Sequence, residues 1–129
     1  MELVIGGAYQ GKQDVAVRIF ELNPAEILNG EDCSLQEALQ ARAIRNFHLL
    51  IRNMMEKKQS PEEFFEQLKD QNPDVILISN EVGYGIVPLE RFEREWRETT
   101  GRICCMAAQE AIHVIRVVAG NAVYIKGEK

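Results

Sequence analysis

A glycine-rich segment near the start of the chain has the residue types and spacing of a phosphate-binding loop. It fits the first seven positions of the pattern GxxxxGK[ST]. In such a loop, glycines let successive backbone N–H groups point at phosphate oxygens, the next helix adds its positive dipole end, and the lysine reaches the terminal phosphates. The residues of this segment are Gly6, Gly7, Ala8, Tyr9, Gln10, Gly11 and Lys12.

The residue after the lysine departs from the pattern. Gln13 stands where the pattern has Ser or Thr. A hydroxyl at that position ligates Mg²⁺, and an amide is longer and differently shaped. The segment therefore predicts a nucleotide-phosphate site over residues 6–13, with its metal ligands unknown. The alternative is a glycine turn that packs a helix on a sheet, with Lys12 merely solvated.

Glu81 is the second candidate for chemistry, and with Lys12 it makes up the predicted catalytic pair. It follows the strongest strand signal in the chain. A carboxylate beside a phosphate site can hold a metal-bound water or orient a substrate hydroxyl. The alternative is a structural carboxylate that accepts hydrogen bonds from loop N–H groups.

The elements around these residues predict an α/β sheet. Leu3 to Ile5 reads as a buried strand, and apolar residues at helical spacing follow the glycine loop until Asn23-Pro24. Asp74 to Ser79 is a continuous apolar run typical of a central parallel strand. The loop from Asn80 to Pro88 then lies at the carboxyl end of that strand, where open α/β sheets bind ligands.

The sequence also predicts helices and strands in the rest of the chain, and it leaves one alternative open. A capping box at Ser34 begins one or two helices over residues 34–58, although residues 43–48 could instead form a short strand. Further predictions are a short helix from Ser60-Pro61 to about Asn72-Pro73 and a long helix from Leu89 that bends or pauses at Gly101. A hairpin of residues 114–118 and 122–126 that turns at Gly120-Asn121 is predicted last.

Two motifs make the chain resemble the adenosylcobinamide kinase/adenosylcobinamide-phosphate guanylyltransferase family. The first is Gly6-Gly7-Ala8 with Gly11-Lys12, and the second, more specific one is Ser79-Asn80-Glu81-Val82-Gly83-Tyr84-Gly85-Ile86-Val87-Pro88. The spacing of residues 91–126 also follows the family. The resemblance covers about residues 1–22 and 74–126 and is weak between them.

This resemblance implies one P-loop, RecA-like domain over residues 1–129, with a mostly parallel sheet flanked by helices and a C-terminal β-hairpin. It implies that ATP or GTP phosphorylates the hydroxyl of adenosylcobinamide, with Mg²⁺ in doubt because of Gln13. It also implies a homo-oligomer, most simply a trimer.

Two departures from the family's pattern modify this expectation. The family transfers GMP through a histidine in a basic segment, and neither His48 nor His113 has that context, so both are expected to be structural. The family's acidic residue after an internal strand aligns loosely with Asn46. We therefore expect nucleotide binding with kinase activity and without guanylyl transfer. The alternative is a degenerate P-loop protein that acts as a binding, regulatory or assembly subunit.

The composition limits the classes of protein to which the chain can belong. The 129 residues are 46% hydrophobic and 27% charged, which fits one globular domain with its own core. The net charge of −5, without a basic block, disfavours a nucleic-acid partner. No apolar run approaches the ~20 residues of a membrane span, and the N-terminus lacks a secretory pattern, so a cytoplasmic location is expected. The three cysteines fit neither a disulfide framework nor a zinc site.

Overall fold

A computed structural model of the protein describes residues 1–82 and 90–128. It contains a six-stranded sheet in the order β2-β3-β4-β1-β5-β6. The strands are β1 (Glu2–Gly6), β2 (Ile27–Asn29), β3 (Ala43–Arg45), β4 (Ile76–Asn80), β5 (His113–Val118) and β6 (Asn121–Lys126). The first five run parallel, and β6 pairs antiparallel with β5. This order confirms the α/β, RecA-like expectation with its closing hairpin.

Helices cover both faces of the sheet, as the continuous apolar strands require. Val15 and Ala16 of α1 pack with one face, and α3, α4 and α5 bury their apolar sides against the other. The helices are α1 (Lys12–Phe20), the four-residue α2 (Leu35–Ala38), α3 (Phe47–Glu56), α4 (Pro61–Gln71) and α5 (Arg91–Glu110), with a 3-10 turn at Pro24–Glu26.

The middle of the chain resolves the alternative that the sequence left open. Ser34 caps α2 through the predicted capping box. Residues Ala43–Arg45 form a strand between β2 and β4, and Asn46 turns the chain into α3. This segment ends in a charged residue and runs directly into a helical pattern, so it has no clear strand signal. The strand exists because the exposed edge of β4 offers it hydrogen-bond partners.

Two details differ from the expectations. Helix α5 runs without a pause through Gly101, because one glycine weakens an otherwise continuous helical pattern without ending it. The β5–β6 turn is centred on Ala119 and Gly120, both with positive φ of 48° and 76°, one residue earlier than predicted. The second family motif lies partly outside the described residues, which resume at Glu90. No helix in the described ranges is long and apolar enough to cross a membrane.

Candidate functional site

A cavity of about 590 Å³ opens at the carboxyl ends of β1, β3 and β4. This is the edge at which open parallel sheets bind ligands. One wall is the glycine loop with the first turn of α1, and the opposite wall is the end of β3 with the first turn of α3. Gly11, Lys12 and Gln13 line the first wall, and Arg45, Asn46 and His48 line the second.

The glycines of the loop are required by its geometry at two positions. A Cβ on Gly6 would lie 2.7 Å from the carbonyl oxygen of Val117, so a side chain there would push β5 away from β1. Gly11 has φ of 86° at the N-cap of α1, in the left-handed region that favours glycine. Because Gly11 has no side chain to cap the helix, the first amides of α1 stay available to an anion.

Lys12 begins α1 and reaches back over the loop. Its Nζ donates a hydrogen bond to the carbonyl oxygen of Gly7 over 2.8 Å. Burial lowers the pKa of the Lys12 ammonium from its ordinary value, and the Glu81 carboxylate opposes this shift. The cavity therefore holds a partly desolvated cation whose acceptor is a neutral carbonyl, which is the arrangement that favours an entering anion.

Of the other predicted loop residues, two line the cavity and one contacts the edge of the sheet. Ala8 and the fully exposed Tyr9 line the cavity. Gln10 instead ties the loop to the β5–β6 turn: its Oε1 accepts a hydrogen bond from the Ala119 amide over 2.6 Å, and its carbonyl accepts one from Gly120 over 2.9 Å. This contact holds the loop in place, and nothing in the local sequence indicates it.

The sequence alone does not identify the second wall as a site, because residues 43–48 fit either a helix or a short strand. Once residues 43–45 are a parallel strand, the rule that ligands bind at carboxyl ends selects Arg45 and Asn46. Asn46 adopts φ of 53°, and its Nδ2 donates to Oδ1 of Asn29 over 3.0 Å. Arg45 forms no ion pair within the described ranges.

His48 is held by backbone contacts on both sides. Its Nδ1 accepts a hydrogen bond from the Asn80 amide over 3.1 Å, and its carbonyl accepts one from Trp96 Nε1 over 2.9 Å. Burial, together with the positive charge of Lys12, lowers the pKa of His48 from 6.5 to about 4. His48 is therefore neutral near pH 7, with its proton on Nε2.

His113 lies far from this site. Its Nδ1 is 2.8 Å from a carboxylate oxygen of Glu2, and its ring packs edge-on against Tyr124. These contacts join β1, β5 and β6, as a structural histidine would.

Glu81 follows β4 but does not line the main cavity. Both of its carboxylate oxygens accept hydrogen bonds from Arg116, over 2.9 and 3.2 Å, and its amide donates to the Gly6 carbonyl over 2.8 Å. The side chain is 12% exposed. The structure thus pairs Glu81 with a β5 arginine, whereas the sequence suggested a metal-bound water, a substrate hydroxyl or loop N–H groups.

The described residues near the cavity do not fit a metal site supplied by the protein. Gln13 is exposed, and the Asn46 amide is bonded to Asn29. Asp14 and Glu31 line the cavity, but no group of three His, Cys, Asp or Glu in the described ranges could hold a metal ion. In nucleotide sites magnesium keeps several waters and is held mainly by the substrate phosphates, so the described residues alone offer no complete ligand set here.

The three cysteines are free thiols. Cys104 on α5 lies near Ser79, and burial raises the pKa of its thiol to about 11. Such a thiol is protonated at neutral pH and acts as a small apolar side chain.

Comparison with known proteins places this geometry in a family. The profile of the cobinamide kinase / cobinamide phosphate guanyltransferase family matches residues 28–125, about three quarters of the chain. The chain belongs to this family. The bifunctional adenosylcobalamin biosynthesis proteins CobU of Escherichia coli (strain K12) and Salmonella typhimurium (strain LT2) are each 46% identical over 52 residues. That segment is 40% of this chain and 29% of each relative, so the chain matches less than a third of their length.

The match with the cobinamide kinase family covers a part of the chain in which the motifs are weak. It runs through the middle of the chain, and it begins after the glycine loop. The second wall and Glu81 therefore lie within the family match, whereas the glycine loop precedes the matched residues. Asn46, at the loosely aligned position of the family's acid, lies on the wall opposite Gln13.

Proposed function

We propose that this protein binds ATP or GTP through residues 6–13 and transfers the terminal phosphoryl group to the hydroxyl of adenosylcobinamide. The observation that supports the proposal most strongly is the position of Lys12. Its ammonium lies on a cavity wall beside the uncapped N-terminus of α1, at the carboxyl edge of the sheet.

The chemistry asked of the protein is positioning and charge neutralisation. In the transfer, the acceptor oxygen forms a bond to the terminal phosphorus, the bond to the bridging oxygen breaks, and the nucleoside diphosphate leaves. The hydroxyl proton passes to solvent. Lys12 and the first amides of α1 would bind the negative charge that accumulates on the phosphates, which is the main contribution of proteins to phosphoryl transfer.

Glu81 has a positioning role in this proposal. Its pairing with Arg116 and its amide bond to Gly6 connect β4 and β5 to the base of the glycine loop. Its negative charge also favours the charged form of Lys12. In this proposal neither histidine carries out guanylyl transfer. The active form is a homo-oligomer, and the resemblance to the family implies a trimer.

The second candidate is a P-loop protein that binds nucleotide without turnover and acts as a regulatory or assembly subunit. The observation that favours it is the pair of neutral amides, Gln13 and Asn46, on opposite walls of one cavity. Both occupy positions where metal-dependent transfer would use a hydroxyl ligand or an acid.

Incubation with Mg²⁺, ATP or GTP, and adenosylcobinamide separates the two candidates. The kinase proposal predicts a phosphorylated corrinoid on chromatography and none with the Lys12→Ala variant. Bound nucleotide with no corrinoid product from the wild-type protein would contradict the kinase and leave the non-catalytic binder.

A further inference from the structure

The second wall of the cavity has the properties of an anion site in its own right. Helix α3 has ten residues and starts at the cavity, and its N-cap Asn46 gives it no side-chain cap. The amides of Phe47 and His48 have no acceptor within the described ranges. A helix start of this kind presents N–H groups and a positive dipole end to a ligand.

A buried side chain independently points to a ligand at the same place. His48 is 5% exposed and lines the cavity. Its Nδ1 accepts from the Asn80 amide, so the neutral ring has its proton on Nε2, at the far side. Within the described ranges Nε2 has no partner, and the one fully enclosed side-chain N or O atom without a partner is Thr100 Oγ1. The Nε2–H is therefore not fully enclosed, and His48 lines the cavity beside it.

The charge around His48 favours an anion. Arg45, two residues before α3, lines the cavity without an ion pair in the described ranges, and Lys12 lies on the opposite wall. Asp14 and Glu31 are the carboxylates on the cavity surface, and both are exposed residues. The donors near α3 are thus a half-buried guanidinium, the N–H of the buried His48 ring and two backbone amides.

We propose that Arg45, His48 and the first turn of α3 form a second phosphate subsite, opposite the glycine loop. Its ligand is the phosphoryl group on the acceptor side of the reaction, as found in a phosphate monoester product. This inference rests on the proposed phosphotransfer function. It adds that the protein has two phosphate positions, one at each helix start.

Two substitutions at His48 separate a ligand role from a structural one. His48→Gln keeps a donor near the position of Nε2 and loses the acceptor for Asn80. His48→Asn keeps the acceptor near Nδ1 and loses the donor. Arg45→Gln removes the charge beside the subsite, and Arg18→Gln makes the same charge change on the exposed surface of α1.

The test is a titration of inorganic phosphate into the protein saturated with ADP, followed by NMR of the histidine ring nitrogens and the Phe47 amide. The chain has two histidines, so His113 serves as an internal reference. We expect phosphate to shift His48 Nε2–H and leave His113 unchanged. We expect roughly tenfold weaker phosphate binding in His48→Asn and Arg45→Gln, as for a lost hydrogen bond to a charged group, and near wild-type binding in His48→Gln and Arg18→Gln.

An unchanged His48 signal would overturn the proposal, as would weaker binding in His48→Gln than in His48→Asn, which a purely structural role predicts. If ADP does not bind, the proposed function fails, and the same titration without ADP still tests the subsite. Thermal unfolding of each variant verifies that the fold is retained.

Discussion

Lys12 is the residue on which the nucleotide proposal depends most. In the structure its ammonium is bonded to a neutral carbonyl, that of Gly7, and burial lowers the pKa of the group. A triphosphate would replace that neutral acceptor by charged oxygens, and charge-assisted hydrogen bonds are about twice as strong as neutral ones. Binding should therefore raise the pKa of Lys12.

Substitutions at Gln13 test whether the missing Ser or Thr of the phosphate-loop pattern limits the Mg²⁺ dependence of nucleotide binding. Gln13→Ser supplies the hydroxyl that such loops use to ligate Mg²⁺. We expect Mg²⁺ to strengthen ATP binding by roughly three- to tenfold more in Gln13→Ser than in the wild-type protein, measured by calorimetry. Gln13→Asn, which keeps the amide, is the matched control. Equal Mg²⁺ dependence in all three proteins would show that position 13 does not limit the metal.

His48 makes a prediction for stability against pH. Its pKa is lowered in the folded protein to about 4 from 6.5, so protonation favours the unfolded chain. The stabilisation is complete above about pH 6.5 and is lost as the pH falls toward 4. Between pH 7 and 4.5 the wild-type protein should lose up to roughly 2 kcal/mol more unfolding free energy than His48→Asn, measured by urea denaturation.

The His48→Asn variant keeps an acceptor for the Asn80 amide and does not titrate, and both proteins share all carboxylates. Parallel curves of unfolding free energy against pH for the two proteins would contradict the buried neutral histidine.

Among the elements, helix α5 contradicts the expectation that its single glycine interrupts the helix. Gly101 predicts a pause, but the helix is continuous from Arg91 to Glu110, and a Cβ at Gly101 would meet nothing within 4 Å. Gly101→Ala should therefore stabilise the protein by about 0.5–1 kcal/mol, since alanine has the higher helix propensity. Thermal unfolding measures this change.

Gly120 is the matched control for Gly101. A Cβ at Gly120 also meets nothing within 4 Å, but its φ of 76° is left-handed. Gly120→Ala should destabilise the hairpin by roughly 1 kcal/mol. If the two substitutions shift the melting temperature in the same direction, the backbone conformations described here are wrong.

The sequence predicts an element well when its pattern is local, and poorly when a neighbouring strand defines it. β1, β4 and the hairpin are apolar or alternating runs bounded by glycine, polar or turn residues, so the local pattern identifies them. β3 has three residues, and its pairing with β4 defines it. The undecided β3 concealed the second wall of the cavity, because Arg45, Asn46 and His48 become site residues only when that strand is placed.

At the scale of the whole molecule, the sheet order explains the site. β4 lies between β1 and β3, so the loops after all three strands meet at one edge. The glycine loop and Lys12 could be predicted from the sequence because the pattern is local. The Gln10 contact with the β5–β6 turn and the Glu81–Arg116 pair could not, because they join residues 109 and 35 positions apart.

The proposed function depends above all on the binding of nucleotide phosphates by residues 6–13. Calorimetric titration of ATP and GTP, each with and without Mg²⁺, into wild-type protein and Lys12→Ala measures this binding. We expect saturable binding that Lys12→Ala weakens by roughly ten- to a hundredfold. Arg18→Gln, a charge change elsewhere on α1, should bind as the wild type does. No binding of either nucleotide, or equal binding by Lys12→Ala, would contradict the claim and leave Gly6 to Lys12 as a turn that only packs α1 on the sheet.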